Sequence, residues 1–326
     1  MRRREFLIGL SSAAAWPNEV IAQRRDATRR IGILTGAAGA VSDARVRILV
    51  QALGELGWFE GRNARFEIRH GGGEQEKLRE YAAELVALEP HVLVANGGTA
   101  TRHLLQATRK FPIVFSFVPD PVGSGFVHSM SRPGGNATGF TQFEYGISGK
   151  WLELLKEISP NVTRVAVVRD ATGPAGVGQY AVIQAMAAAK GVETRPINAG
   201  DPVEMERDIG SFASAGNGGM IVTSSTSALV HRALIIKLAA QHKLPTVYAQ
   251  REFVAAGGLI SYGANFTALL QNTAGYVNRI LKGEKPADLP VQGPTRFEIV
   301  INTKTAAVLG LEFPTSVLAT AEDATQ

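Results

Sequence analysis

Val92-Leu93-Val94-Ala95-Asn96-Gly97-Gly98-Thr99 is a short apolar run that ends in a polar, glycine-paired turn and opens at Thr99 onto a helix-period segment reaching Thr108. An unbroken apolar run of this length reads as a strand buried on both faces, as strands of parallel sheets are. Upstream, Arg30-Ile31-Gly32-Ile33-Leu34 reads the same way. Ser42 is placed to cap the next helix, whose apolar residues Val46, Leu49, Val50, Leu53 and Leu56 recur at three and four, and Gly57 stops it. Ala64 to Arg69 is a further strand, and Glu74 to Leu88 a further helix. Downstream, Ile113-Val114-Phe115-Ser116-Phe117 is a fourth strand. Strands alternating with helices predict a parallel sheet with helices on both faces.

The turn cluster Ser131-Arg132-Pro133-Gly134-Gly135-Asn136 interrupts this series, and then the pattern restarts. Ile147, Trp151, Leu154, Leu155 and Ile158 form one helix face. Strands are expected at Arg164 to Val168, Val192 to Ile197, Gly219 to Thr223, Thr246 to Tyr248 and Leu259 to Ser261. Helices fill the gaps at about Gly176 to Lys190, Glu204 to Ser214 and Ala228 to His242. A late helix carries Leu269, Leu270, Thr273, Val277, Ile280 and Leu281 on one side, the linker Pro286 to Pro294 follows, and Phe297 to Ile301 is a last strand. The predicted fold class is α/β: two doubly wound parallel-sheet lobes joined by a hinge of several crossing segments. Lobe 1 is expected to take residues 30–140 plus about 263–291, and lobe 2 residues 141–262 plus about 292–326.

Composition limits the function classes. The 326 residues are 45% hydrophobic and 19% charged, enough for two real cores. The net charge of +5 is spread without a Lys/Arg stripe interleaved with aromatics, so no nucleic-acid partner is expected. Cysteine is absent, which excludes thiol catalysis, Cys-ligated metal and a lipidated cysteine anchor. The six histidines show no ligand spacing, and neither a metal nor a cofactor is expected. Gly176-Val177-Gly178-Gln179-Tyr180-Ala181 fits the dinucleotide pattern G-x-G-x-x-A, but it comes too late after the strand ending at Val168 for a tight strand-to-helix turn. With no P-loop and no G-x-S-x-G either, the chain does not read as an enzyme.

Residues 1–22 read as an address. Arg2, Arg3 and Arg4 form a basic start, Ile8 to Trp16 is a short apolar stretch, and Val20-Ile21-Ala22 ends in the small residue that signal peptidase needs. Arg3-Arg4-Glu5-Phe6-Leu7 resembles a twin-arginine signal, with an ordinary secretory signal as the alternative. The expectation is a soluble periplasmic protein, not a lipoprotein, cleaved near Ala22.

In open parallel sheets, ligands bind beyond the carboxyl ends of the strands. Asn96, Gly98 and Thr99 lie there, where free N–H groups and the helix dipole favour a carboxylate; the alternative is a tight turn. Asp120, within Pro119-Asp120-Pro121, suits an ammonium group or caps the next helix. Thr223, Ser224, Ser225 and Thr226 offer hydroxyls, with a helix cap at Ser227 or one residue earlier. Tyr248 and Tyr262 end strands and either stack on a flat ligand or sit in core or surface.

Ile113-Val114-Phe115, Asp120-Pro121-Val122-Gly123-Ser124-Gly125 and Ser131-Arg132-Pro133-Gly134-Gly135-Asn136-Ala137-Thr138-Gly139-Phe140 are together similar to a long block in ABC-transporter substrate-binding proteins of the type I periplasmic binding fold. The resemblance is to the subfamily that includes receptors for tryptophan and other aromatic amino acids. It continues through Leu152 to Glu157, Arg251 to Gly263, Ile280 to Pro290 and Phe297 to Asn302. The resemblance implies a monomeric extracytoplasmic receptor that closes two lobes on a small organic solute, an amino acid or an aromatic or organic acid, and delivers it to an ABC permease and ATPase complex at the inner membrane. It adds Thr35, Gly36, Thr141 and Gln142 to the expected ligand-binding positions. One departure is the loop Arg169-Asp170-Ala171-Thr172-Gly173-Pro174, where the family's usual Asn-Pro start is missing. The alternative function is a periplasmic sensor that hands its signal to a signalling partner.

Overall fold

The computed structural model describes residues 28–171 and 174–323. The leader read at residues 1–22 lies outside them. In chain order the elements are β1 (Arg29–Thr35), α1 (Ala40–Glu55), β2 (Ala64–His70), α2 (Gln75–Ala87), β3 (Val92–Asn96), α3 (Gly98–Ala107), β4 (Ile113–Val118) and β5 (Ala137–Thr141). There follow α4 (Ile147–Ile158), β6 (Arg164–Arg169), α5 (Pro174–Ala189), β7 (Glu193–Asn198), α6 (Pro202–Ala213), β8 (Gly218–Val222), α7 (Thr226–Val230), α8 (Arg232–Gln241) and β9 (Thr246–Tyr248). The chain ends through α9 (Arg251–Ala255), β10 (Ile260–Ala264), α10 (Phe266–Leu281), β11 (Phe297–Ile301), α11 (Thr303–Leu309), α12 (Thr315–Leu318) and β12 (Ala321–Asp323).

These strands make two sheets. The first runs β2-β1-β3-β4-β5 and the second β12-β11-β10-β9-β8-β6-β7. All pairings are parallel except β10 with β11, where Ile260 faces Ile301 in antiparallel register. The apolar runs are unbroken because each strand is covered on both sides. In β3, Val92 and Val94 join Ile31 and Ile33 under α1 and α10, while Leu93 and Ala95 join Leu78, Leu85 and Leu104 under α2 and α3. In β6, Val165 and Val167 pack with Trp151, Leu155 and Ile183 of α4 and α5. Ala166 and Val168 pack with Met205, Phe212 and Leu238 of α6 and α8. Each of the large apolar side chains among them contributes about 1.5–3 kcal/mol by leaving water.

The chain passes between the sheets three times: after β5, after β10 and before β11. Leu269, Leu270, Val277 and Ile280 of α10 pack into the first sheet's core with Val46 and Leu53. The crossings are zipped together by backbone bonds: Thr141 N donates to Gln292 O at 2.9 Å, Gln292 N to Gly139 O at 3.1 Å, and Asn265 N to Arg296 O at 2.9 Å.

Several local expectations are corrected. Gly39, not Ser42, precedes the first turn of α1, and the Ser42 hydroxyl instead reaches Ala37 O and His70. The expected helix from Ala228 to His242 is two helices broken at His231. Gly176 and Gly178 lie inside α5, so the G-x-G-x-x-A pattern is not a phosphate-binding turn. β5, α9, α11, α12 and β12 had no counterpart in the pattern reading.

Candidate functional site

Two hydrogen bonds join the loops and helices at the carboxyl ends of the strands of the two sheets. Gln142, just beyond β5, donates its Nε2 to Ser224 Oγ, just beyond β8, at 2.7 Å. Arg45 of α1, the helix that follows β1, donates from Nη2 to Glu252 Oε1 of α9, the helix that follows β9, at 3.4 Å. Asp120, two residues past β4, lies near enough to Tyr145 to push its phenol upward, second to burial itself. The Tyr145 ring in turn packs on Gly178 of α5, where an added Cβ would come within 2.4 Å of it. The loops that leave both sheets therefore meet, at the place where such folds bind ligands.

The expected positions divide by what their polar atoms already do. Gly97, in a left-handed conformation at φ 95°, turns the chain out of β3 and gives its N–H to Ser116 O. Gly98 and Thr99 open α3, so their N–H groups have no acceptor within the helix. Thr99 is exposed, Asn96 half-buried, and Gly36 lies against the Thr99 hydroxyl. Asp120 is half-buried and its Oδ1 accepts from Gly123 N at 2.8 Å, which closes a tight turn and leaves the second oxygen without a backbone donor. Thr141 is buried with its hydroxyl unpartnered.

Other positions are committed to the fold. The Thr35 hydroxyl donates to Ala37 O at 2.7 Å and lies 3.0 Å from His70 Nδ1. Thr223 bonds Val168 O at 3.0 Å. Ser225, two residues before the expected Ser227, caps α7 by accepting from Ala228 N at 3.0 Å. Tyr248 is 1% exposed and stacks on Phe253 at 4.8 Å, deep under the α6–α8 layer, and burial pushes its phenol far upward. Tyr262 lies within β10, half-buried and stacked on Phe297, while its carbonyl accepts from Trp151 Nε1 at 2.7 Å. The structure thus turns Tyr248 into the second core rather than towards the cleft.

Besides Thr141, already expected from the family resemblance, pattern reading passes over a set of polar groups at the same level. Among the described residues, Ser116 Oγ, Thr141 Oγ1, Ser148 Oγ, both amide atoms of Gln179 and Gln250 Oε1 are buried without a partner. Arg45 Nε and Glu252 Oε2 share that state. An unpaired buried polar group is costly, roughly 1–3 kcal/mol each, so the concentration of such groups near strand ends and in the first two turns of helices marks a place built for polar contacts. Ser116, polar inside Ile113-Val114-Phe115-Ser116-Phe117, was a readable signal; Arg45 and Gln179, on helix faces, were not. No group of three or more His, Cys, Asp or Glu among the described residues could hold a metal, and no described helix is long and apolar enough to cross a membrane.

Comparison with known proteins agrees with this architecture. Residues 30–325 match the family model described as ABC transporter substrate binding protein. The chain is 23% identical over 264 residues to a tyrosine-binding protein of Clostridioides difficile, covering 81% of this chain and 75% of that one. A conserved domain protein from Vibrio cholerae superposes with a TM-score of 0.82 at 28% identity, over 91% of this chain and 99% of that one. An ABC domain from Streptococcus pneumoniae in complex with L-Trp superposes with a TM-score of 0.82 at 24% identity, with the same coverage. With a family match that spans nearly all of its length, this chain belongs to the ABC transporter substrate-binding proteins.

Proposed function

We propose that the chain is the extracytoplasmic solute-binding subunit of an ABC importer, and that it closes two lobes on an amino acid or an aromatic or organic acid. Family membership makes it a solute receptor and not an enzyme. The observation that carries the finer reading is the band of buried, unpartnered polar atoms between two sheets that meet at their strand ends. The lobes would be residues 30–140 with about 263–291, and 141–262 with about 292–326.

A zwitterion suits this band. The free N–H groups at Gly98 and Thr99 would take a carboxylate, and the second oxygen of Asp120 would take an ammonium. Gln142 and Ser224 already bridge the cleft and would trade their mutual bond for bonds to the solute. The tyrosine-binding relative and the L-Trp complex support the amino-acid class. Solute bound to one lobe would then favour closure by touching the other.

The leader at residues 1–22, with Arg3-Arg4 and Ala22, supports twin-arginine export to the periplasm, and the family match supports delivery to an ABC permease and ATPase complex. A thermal-shift panel of the amino acids and of aromatic and organic acids tests the binding. A solute present at a hundred times its Kd stabilises the fold by about 2.7 kcal/mol, a rise of several degrees in Tm. No rise with any member at millimolar concentration would overturn the assignment.

A further inference from the structure

Arg45 is held in an unusual seat. Its guanidinium lies 4.4 Å from the Phe117 ring centroid and 4.8 Å from that of Phe266, and these two rings meet edge to face at 4.8 Å. Phe117 reaches this position only through a left-handed backbone, φ 59°, at the irregularity where β4 and β5 lose register. A bulky residue in that conformation is strained by the order of 1–3 kcal/mol, and such strain persists where the surroundings enforce it. Both rings belong to the first sheet's core, so Arg45 is set by the first lobe alone.

Its anionic partner comes from the other sheet. Glu252 sits in the first turn of α9, between Gln250, the residue before that helix, and the second lobe's core residues Phe253 and Val254. Its neighbour Arg251 is fixed by Glu298 of β11 at 3.2 Å and by Glu322 of β12 at 2.9 Å, and Glu298 also accepts from Asn265 Nδ2 of the second crossing at 2.7 Å. The two charged side chains are 17% and 18% exposed. At that burial a pair is screened far less than on an open surface.

We infer that Arg45 and Glu252 form a clasp across the cleft that raises solute affinity by favouring the closed arrangement, as positioning residues that need not touch the solute. The inference rests on the receptor reading above. Arg45 is the fixed jaw, preorganised by two aromatic faces. Glu252 is the moving jaw, delivered by a helix whose first residue, Arg251, is tied to the second crossing through Glu298. Opening the lobes breaks the pair and returns both charges to water, and the clasp holds closure by the amount the lost attraction exceeds that regained hydration. Solute exit, which requires opening, is slowed, while entry falls only in proportion to the solute-free molecules that are already closed.

The test measures the radius of gyration by solution scattering, without solute, for the wild type, Arg45→Gln, Glu252→Gln and the double variant. Glu252→Gln leaves the Phe117–Arg45–Phe266 stack in place and covers the case in which Arg45→Gln fails to fold. Each single variant is expected to be larger than the wild type, and the double variant no larger than the singles. With the best-binding amino acid of the panel, dissociation should quicken about tenfold, which is ~1.4 kcal/mol, with association little changed. Molar salt should move the wild type towards the variants. Equal radii and equal dissociation rates in all four proteins would overturn the clasp, as would variants that lose only Tm. A wild type that no solute compacts would instead count against the closing receptor, while the solute-free radii still decide the clasp.

Discussion

Asp120→Asn separates a binding charge from a turn residue. In the structure, Asp120 Oδ1 accepts from Gly123 N at 2.8 Å, and the turn is so tight that a Cβ at Gly123 would fall 2.2 Å from Oδ2. Asparagine keeps an oxygen acceptor for Gly123 and loses the charge. Its cost to stability is expected to stay within about 0.5 kcal/mol. Alanine removes the acceptor as well, and the turn should lose about 1 kcal/mol, roughly 2–4 °C in Tm for a chain of this class. The binding arithmetic differs. A hydrogen bond to a charged group contributes about 1.5–3 kcal/mol, so both variants should weaken an amino-acid solute by about 10- to 150-fold. The deaminated analogue of the same solute should bind all three proteins alike. Calorimetry reads the affinities and urea unfolding the stabilities. Tyr145 supplies an internal check: Asp120 is the second cause of its upward shift, after burial, so its phenolate should form at lower pH in Asp120→Asn than in the wild type. A wild type and an Asp120→Asn variant that bind the amino acid within twofold would refute the reasoning and leave Asp120 a turn residue.

Glu298 is held above its ordinary 4.5 chiefly by burial, with Arg251 pulling it back down. A carboxyl raised on folding adds stability below its unfolded value and loses that contribution as pH rises through its folded value. The stability gap between wild type and Glu298→Gln should therefore shift as pH climbs from about 4.5, and a gap that stays flat on urea unfolding would count against it. Gly263→Ala would drive a Cβ to 2.2 Å from Ala249 O between β10 and β9; a loss of about 3 kcal/mol is expected, and an unchanged denaturation midpoint would refute the clash. Trp151→Phe removes the buried 2.7 Å bond to Tyr262 O and should cost roughly 1–3 kcal/mol, again read by urea. Replacing Arg3 and Arg4 with Lys should stop export and leave a full-length cytoplasmic chain, whereas periplasmic protein starting at about Gln23 by mass spectrometry would point to the ordinary secretory route.

The strands were legible because a doubly covered sheet writes itself as an unbroken apolar run: Val92 to Ala95 and Ile113 to Phe117 needed no partner to be recognised. The α10 stripe was legible for the same reason at helical period. β5 was not. In Ala137-Thr138-Gly139-Phe140-Thr141 a single large apolar residue stands among small and polar ones, and Gly139 is required because Phe115 O lies only 2.0 Å from where its Cβ would sit. The break at His231 was hidden because Ala228, Ile235 and Leu238 keep an apolar spacing through it and share one core. Tyr248 was misleading in a different way. A tyrosine at a strand end reads as facing the cleft, but the alternation of β9 turns it away from Val247 into the other core. Gly258 leaves the room, since a Cβ there would meet the ring at 2.6 Å.

The cleft residues read from the pattern lie within a few positions of a strand end, where one sheet's direction is enough to place them, whereas Thr35, Gly36, Thr141 and Gln142 come from the family resemblance, the last two beside the illegible β5. Arg45 and Gln179 lie on the second turn of helices, and Glu252 lies in the first turn of a helix too short to be recognised. Whether such a position faces solvent or the opposite lobe depends on how the two sheets are set against each other. That setting is held by bonds as distant in sequence as Gly139 to Gln292 and Asn265 to Arg296. No local pattern records it, so a charged residue on a helix face reads as solvated until the crossings are in place. The same dependence gives the Arg45–Glu252 pair its meaning. A contact that exists only when the crossings bring two lobes together reports on closure, and any change in the hinge that tilts the lobes should be felt at that pair before either core is disturbed.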